Sequence, residues 1–137
     1  MALQKSDGGS SPFTQRIVTS LIRSNKMRRH IDELSQQMRL HRDAMIGALA
    51  DELPDAQVRR PEGGYFLWVE LPKGVSAEAV AARAVIHGVE VTLGRACFPD
   101  VDPGNYLRLA YSFVGTDDIR KGIGRLGMAY REVVAEA

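Results

Sequence analysis

Arg108 is the residue of this sequence whose type and setting best suit binding chemistry. It lies in the run Tyr106-Leu107-Arg108-Leu109-Ala110-Tyr111-Ser112-Phe113. Strand alternation puts Leu107, Leu109, Tyr111 and Phe113 on one face and Arg108, Ala110 and Ser112 on the other. Small neighbours leave space around the guanidinium, and a planar fork facing a cleft suits two-point capture of a carboxylate or phosphate. A lone arginine on an exposed sheet face produces the same pattern, so spacing leaves both readings open.

The remaining candidates are weaker. Gly122-Ile-Gly124-Arg-Leu-Gly127 matches the dinucleotide string G-x-G-x-x-G. That fingerprint needs a strand just before it and a βαβ unit after it. Here the glycines fall inside the last helix, where close helix packing explains them at up to about 1 kcal/mol each in propensity. The stretch from Arg16 to Arg42 holds seven basic residues against Asp32 and Glu33. No aromatic residues interleave with these charges, and a solvated helix face accounts for them without nucleic acid. His30, His41 and His87 show no metal-ligand spacing with Cys97, so no metal site is expected. His41 falls on an apolar stripe and reads as a core or interface histidine. Asp100-Val-Asp102-Pro-Gly104 begins like a calcium loop but lacks its later ligands. Cys97 has no evident base beside it and reads as a structural thiol. The residues alone define no catalytic constellation.

Composition bounds the frame. The chain has 137 residues, 45% of them hydrophobic, with 18 basic and 17 acidic residues and a net charge of +1. That suits one domain with a real core and excludes a polybasic tail or an acidic solvating protein. No apolar run approaches the roughly 18 residues of a membrane span, and the opening residues lack the apolar core of a signal peptide. A single cysteine cannot pair internally, which favours a reducing, cytoplasmic location.

The elements that position Arg108 follow from periodicity. Residues 1–11 read as a flexible lead-in. Ser11-Pro12 opens a helix carrying Phe13, Ile17, Val18, Leu21 and Ile22 at helical spacing, and Asn25 breaks it. A second helix runs from Lys26 to Leu53, with Ile31, Leu34, Met38, His41, Met45 and Leu49 along one face; Pro54 closes it. Arg60-Pro61-Glu62-Gly63-Gly64 is a turn, and Tyr65 to Leu71 is a strand apolar on both faces, suited to the interior of a sheet. Ser76 caps a helix ending at His87-Gly88, with Val75 stapled to Val80. Val89 to Leu93 and Tyr106 to Phe113 are the remaining strands, separated by a loop from Gly94 to Asn105. Thr116 caps the last helix, whose buried stripe is Ile119, Ile123, Leu126, Tyr130 and Val133. The order αα-β-α-β-β-α predicts an α/β fold of the α+β two-layer kind, a small mixed or antiparallel sheet with helices on one face.

Several motifs in this order resemble one family. Arg60-Pro-Glu-Gly-Gly-Tyr-Phe-Leu-Trp-Val-Glu-Leu-Pro72 resembles the R-P-x-G-G-x-F-x-W-x-x-L-P segment of the class I/II aminotransferases. Those are fold type I pyridoxal-phosphate (PLP) enzymes, and the 2-aminoadipate and MocR-like branch is the most similar. Gly88-Val89, Gly94 and Phe98 fall where that family has its GV…PG…F segment, and Asn105-Tyr-Leu-Arg108-Leu-Ala-Tyr111 resembles its N-x-x-R-L-x-F/Y strand. Ser11-Pro-Phe-Thr-Gln15 and His30-Ile31 resemble the stretch leading from the large domain into the small one.

The resemblance implies three segments: the lead-in at 1–11, connecting helices at 12–59, and the small C-terminal domain at 60–137. It implies that Arg108 binds the substrate α-carboxylate, with Gly64 and Phe66 beside the cleft. The family's Schiff-base lysine lies in S-x-x-K, and Lys5, Lys26, Lys73 and Lys121 all have other contexts. No catalytic or cofactor-binding residue is therefore expected in this chain, which by itself should be inactive. In an intact parent, PLP would be the cofactor, an amino acid and a 2-oxo acid the substrates, and a homodimer the assembly, with neither membrane nor nucleic acid contacted by this segment. Two other functions fit the same resemblance: the sensor portion of a MocR-type PLP-binding regulator, and a stand-alone binding module of this fold.

Overall fold

A computed structural model describes residues 11–98, 100 and 104–136. The expected lead-in, apart from Ser11, and the centre of the Asp100–Gly104 string lie outside the described residues. The chain divides into two compact units, residues 1–37 and 38–137. No described helix is long and apolar enough to cross a membrane.

Helix α1, Pro12–Arg23, starts with proline at its first position, where the missing N–H costs no hydrogen bond. Ser11 precedes it without a side-chain cap bond. Asn25 adopts the left-handed conformation (φ 57°) and separates α1 from helix α2, Lys26–Glu52. Most described apolar residues of the first unit are exposed: Phe13 is 73% exposed and Ile31 52%. Further along α2 the same stripe is buried at Met45 and Leu49.

The second unit is built on a four-stranded sheet in the order β1-β2-β4-β3, with every neighbouring pair antiparallel. The strands are β1 (Gln57–Val58), β2 (Phe66–Glu70), β3 (Thr92–Leu93) and β4 (Tyr106–Ala110). Helices α3 (Ala77–Ile86) and α4 (Thr116–Glu136) complete it. Leu67, Val69, Leu107 and Leu109 point into one core with Met45 and Leu49 of α2, Val80 and Ala84 of α3, and Ile119, Ile123, Leu126, Tyr130 and Val133 of α4. The sheet is therefore covered by helices on its inner face, as the alternation and the terminal stripe require. Phe66, Trp68, Tyr106 and Arg108 occupy the outer face.

The structure corrects three boundaries. Strand β1 pairs Gln57 with Glu70 and Val58 with Val69; two residues are too few to carry a period, so the sequence gives no strand there. The strand expected at Val89–Leu93 pairs only over Thr92–Leu93, followed by a single 3₁₀ turn, Gly94–Cys97. The last strand stops at Ala110, and Phe113, expected on the inner face, is 97% exposed. Tyr111 alone keeps that alternation and is buried, because its backbone and hydroxyl are both engaged across the sheet end.

Ser76 caps α3, its hydroxyl accepting from Ala79 N at 3.2 Å. Gly88 (φ 77°) supplies the left-handed stop after His87. Where α3 meets α4, Arg83 donates to Glu132 (3.1 Å) and to Glu136 (2.7 Å), and His87 Nε2 lies 2.9 Å from Glu132. The hydrogen bond from Arg83, reinforced by that from His87, holds the Glu132 carboxyl below its ordinary range. A depressed carboxylate stabilises the fold above the unfolded-state value of about 4.3 and loses that contribution as pH falls through its folded value. Thermal melts should therefore show Glu132→Gln less stable than the unmodified chain at neutral pH, with the difference vanishing in strong acid.

The glycines of the G-x-G-x-x-G string lie within α4 and differ in their surroundings. A Cβ on Gly127 would sit 2.5 Å from Glu52 Oε2 and 2.9 Å from Glu52 Cβ, whereas one on Gly122 would meet nothing within 4 Å. Close approach of α4 to the end of α2 thus explains Gly127 alone. Gly122→Ala should stabilise the chain by about 0.5–1 kcal/mol through helix propensity. Gly127→Ala should destabilise it by about 1–2 kcal/mol despite the same gain. Denaturant titration of the two variants checks both signs.

Candidate functional site

Antiparallel register sets Arg108 of β4 directly opposite Trp68 of β2 and Thr92 of β3. The Arg108 guanidinium lies above the Phe66 ring, 4.3 Å from its centroid, and its Nη2 is 3.5 Å from Thr92 Oγ1. Stacking uses the face of the guanidinium and leaves its N–H edge available. Among the described residues no carboxylate lies within ion-pair distance of Arg108, nor of Arg125 on the same cleft. Arg108 and Phe66 both line a cleft of about 620 Å³ at the β3 edge of the sheet, with Thr92 and Ala110 beside them. The arrangement is a half-buried, pre-positioned cation without an internal counter-ion among the described residues.

The glycine-rich turn preceding Phe66 is held from two sides. Tyr111 donates its backbone N–H to Tyr65 O (3.0 Å) and its hydroxyl to Gly64 O (2.8 Å). Arg42, buried on α2, donates to Pro61 O (3.0 Å) and to Asp43 (2.8 Å), and Asp43 in turn accepts from Arg60. The Arg42 hydrogen bond holds the Asp43 carboxyl below its ordinary range. His41 Nδ1 donates to Tyr111 O at 3.0 Å; a carbonyl can only accept, so that nitrogen carries the hydrogen. His41 thus acts as the structural histidine its place on the stripe suggests. Gly64 needs its positive φ of 90° for this turn and lines neither this cleft nor the one beside β1.

Of the sequence candidates, Arg108 and Phe66 come together and Gly64 supports them through its backbone. Thr92, Tyr111 and Arg42 escaped sequence reading, since their roles depend on partners 16, 47 and 19 residues away. Cys97 is free and half-buried in the 3₁₀ turn.

Residues 1–126 match the family model for aminotransferase class I and II. The 2-aminoadipate transaminase of Thermus thermophilus is 33% identical over 98% of this chain and 34% of its own length. The uncharacterized HTH-type transcriptional regulator YdfD of Bacillus subtilis is 29% identical over 96% of this chain and 27% of its own length. Among solved structures, LysN, the α-aminoadipate aminotransferase of Thermus thermophilus complexed with N-(5'-phosphopyridoxyl)-L-leucine, superposes with a TM-score of 0.85. It is 32% identical, over 99% of this chain and 35% of that one. The chain belongs to the class I and II aminotransferases, and its sheet and helices are the small-domain fold of the PLP-dependent fold type I enzymes. It spans about a third of the length of these relatives.

The described residues do not fit PLP. A covalent anchor requires a lysine amine facing the cofactor. Lys121, the one described lysine at the cleft, is exposed and ion-paired to Asp118 at 3.6 Å on the same helix.

Proposed function

We propose that this chain is the small domain, with its connecting helices, of a PLP-dependent aminotransferase that moves an amino group between an amino acid and a 2-oxo acid. Arg108 grips the substrate α-carboxylate. The observation that carries this reading is the Arg108 guanidinium itself: stacked on Phe66, turned into a cleft, and without an ionic partner among the described residues. A carboxylate supplies the missing charge and accepts from two N–H groups at once. Phe66 and Thr92 hold the fork, and Gly64 anchors the turn before Phe66. The lysine and the phosphate-binding groups come from the large domain, so these 137 residues alone are inactive. Residues 12–59 connect to that domain and 60–137 form the small one, whose core the second half of α2 enters and whose sheet β1 joins. The uncovered apolar residues of α1 and early α2 meet the rest of a homodimeric, cytoplasmic parent rather than membrane or nucleic acid.

The test is titration of the chain with L-alanine and with pyruvate, following the Arg108 side-chain N–H resonance by NMR. Arg108 should shift saturably, and Arg108→Gln should weaken binding by about 10- to 100-fold. Arg108→Lys should recover only part of that loss, because an ammonium keeps the charge and loses the fork. Equal affinity of Arg108→Gln and the unmodified chain would sink the proposal.

The similarity to YdfD favours a second reading, the effector-sensing portion of a MocR-type regulator. Arg108 would bind the same carboxylate there. An in-frame helix-turn-helix in the upstream coding sequence selects the regulator, and its absence beside an S-x-x-K motif selects the enzyme.

A further inference from the structure

A second concavity on the outer face of the sheet begins where the carboxylate site ends. It has a volume of about 540 Å³, within the range of small-molecule pockets, and Phe66 is a wall of both cavities. Its other walls include Trp68, Tyr106 and Pro61. Trp68 stands directly across from Arg108 in the strand register, so the floor of this pocket starts one strand away from the guanidinium.

Three of the lining side chains, Phe66, Trp68 and Tyr106, are aromatic. Phe66 is 41% exposed despite supporting Arg108. Trp68 meets Tyr106 at 6.2 Å with a ring-to-ring angle of 77°, and Phe98 at 5.7 Å and 60°. Edge-to-face contact is the arrangement that ring quadrupoles favour, and a further ring entering the pocket extends the same packing. The charged groups at the margin oppose each other. Glu70 accepts from the Tyr106 hydroxyl, which raises the pKa of that tyrosine, and Arg59 lies near enough to lower it. One acid and one base give a second carboxylate no net advantage there. The pocket therefore suits an uncharged, flat, apolar group.

We infer that this pocket is the subsite for the side chain of the bound amino or 2-oxo acid, and that it selects aromatic side chains. The inference rests on the proposed grip of Arg108 on the carboxylate. A ligand held there by its carboxylate passes over Phe66 and lays its ring against Trp68 and Tyr106.

Two probes of identical charge separate this inference from the reading beneath it: propionate, which has only the carboxylate and a short tail, and 3-phenylpropionate, which adds the ring. Both are titrated into the full chain, with the Arg108 side-chain N–H as the common NMR readout. The expected result is that 3-phenylpropionate binds about tenfold more tightly than propionate. Intermolecular contacts should appear between its phenyl protons and the ring protons of Trp68 and Tyr106. Trp68 is the sole tryptophan, which makes its indole signals unambiguous. Trp68→Leu should bring the two affinities together. Equal affinities in the unmodified chain, or ring contacts confined to the other cleft, would overturn the subsite while Arg108-dependent propionate binding left the carboxylate grip standing. Binding of neither probe through Arg108 would remove both.

Discussion

Asn105→Ala should destabilise the fold by about 3 kcal/mol, the sum expected when a half-buried amide leaves several backbone groups unpaired. Its Oδ1 accepts from Ala77 N at 2.8 Å, satisfying a donor in the first turn of α3 that no helical carbonyl can reach. Its Nδ2 donates to Val75 O at 2.6 Å, with Leu71 O and Pro72 O at 3.4 Å. One side chain thus ties the start of β4 to the end of β2 and to the entry of α3. Alanine abandons the donor and acceptor together. Asn105→Asp is the sharper control: it keeps an acceptor for Ala77 N but turns an anion toward the Val75 carbonyl. It should be about as damaging as alanine at neutral pH and less so in acid, where the protonated carboxyl can donate. Urea titration of both variants at two pH values measures this. An Asn105→Ala loss below about 1 kcal/mol would show that water replaces the amide.

Gly94→Val should be comparably severe, with a cost of about 3 kcal/mol or more. A Cβ at this position would lie 2.7 Å from Tyr106 Cβ, 3.0 Å from Tyr106 O and 3.4 Å from the Trp68 ring. The first two contacts involve atoms at or next to the backbone of β4, which cannot swing aside. The 3₁₀ turn after β3 must then back away from β4, loosening the Thr92–Arg108 pairing that places Thr92 beside the guanidinium. Gly94→Val should therefore lower stability, change the emission of the sole tryptophan, and weaken the carboxylate binding proposed for Arg108. Gly63→Val is the contrast, since a Cβ there meets nothing within 4 Å. Unchanged tryptophan emission in Gly94→Val would refute the close approach.

Strand β2 and helix α4 were legible in the sequence because each carries a complete period: Phe66–Glu70 is apolar in both phases, and Ile119 to Val133 repeats over about four turns. The burial of the α4 stripe follows directly from that pattern, whereas β2 buries only Leu67 and Val69 and leaves Phe66 exposed on the outer face. Strand β1 was not legible, since two residues exist as a strand only through their pairing with Val69 and Glu70. Phe113 misled for the complementary reason. Alternation continues in sequence after Ala110, but pairing with β2 ends at Phe66, and the chain turns away. The helix α1 stripe was legible as a period, yet its residues stand uncovered in the described structure.

The sequence by itself determined the family and Arg108. Motif order carried the family; for Arg108, side-chain alternation supplied its face and motif its proposed role. Both depend on local order along the chain, which a strand with period two preserves. Tertiary structure alone decided what surrounds that arginine. Phe66 beneath it, Thr92 beside it, Trp68 across from it, and Tyr111 and Arg42 securing the turn all come from strand pairing and helix packing between distant segments. Such contacts form only because burying the apolar inner face forces one sheet register. That same register lines up the outer face, setting the cleft at Arg108 beside an aromatic pocket that no linear motif records.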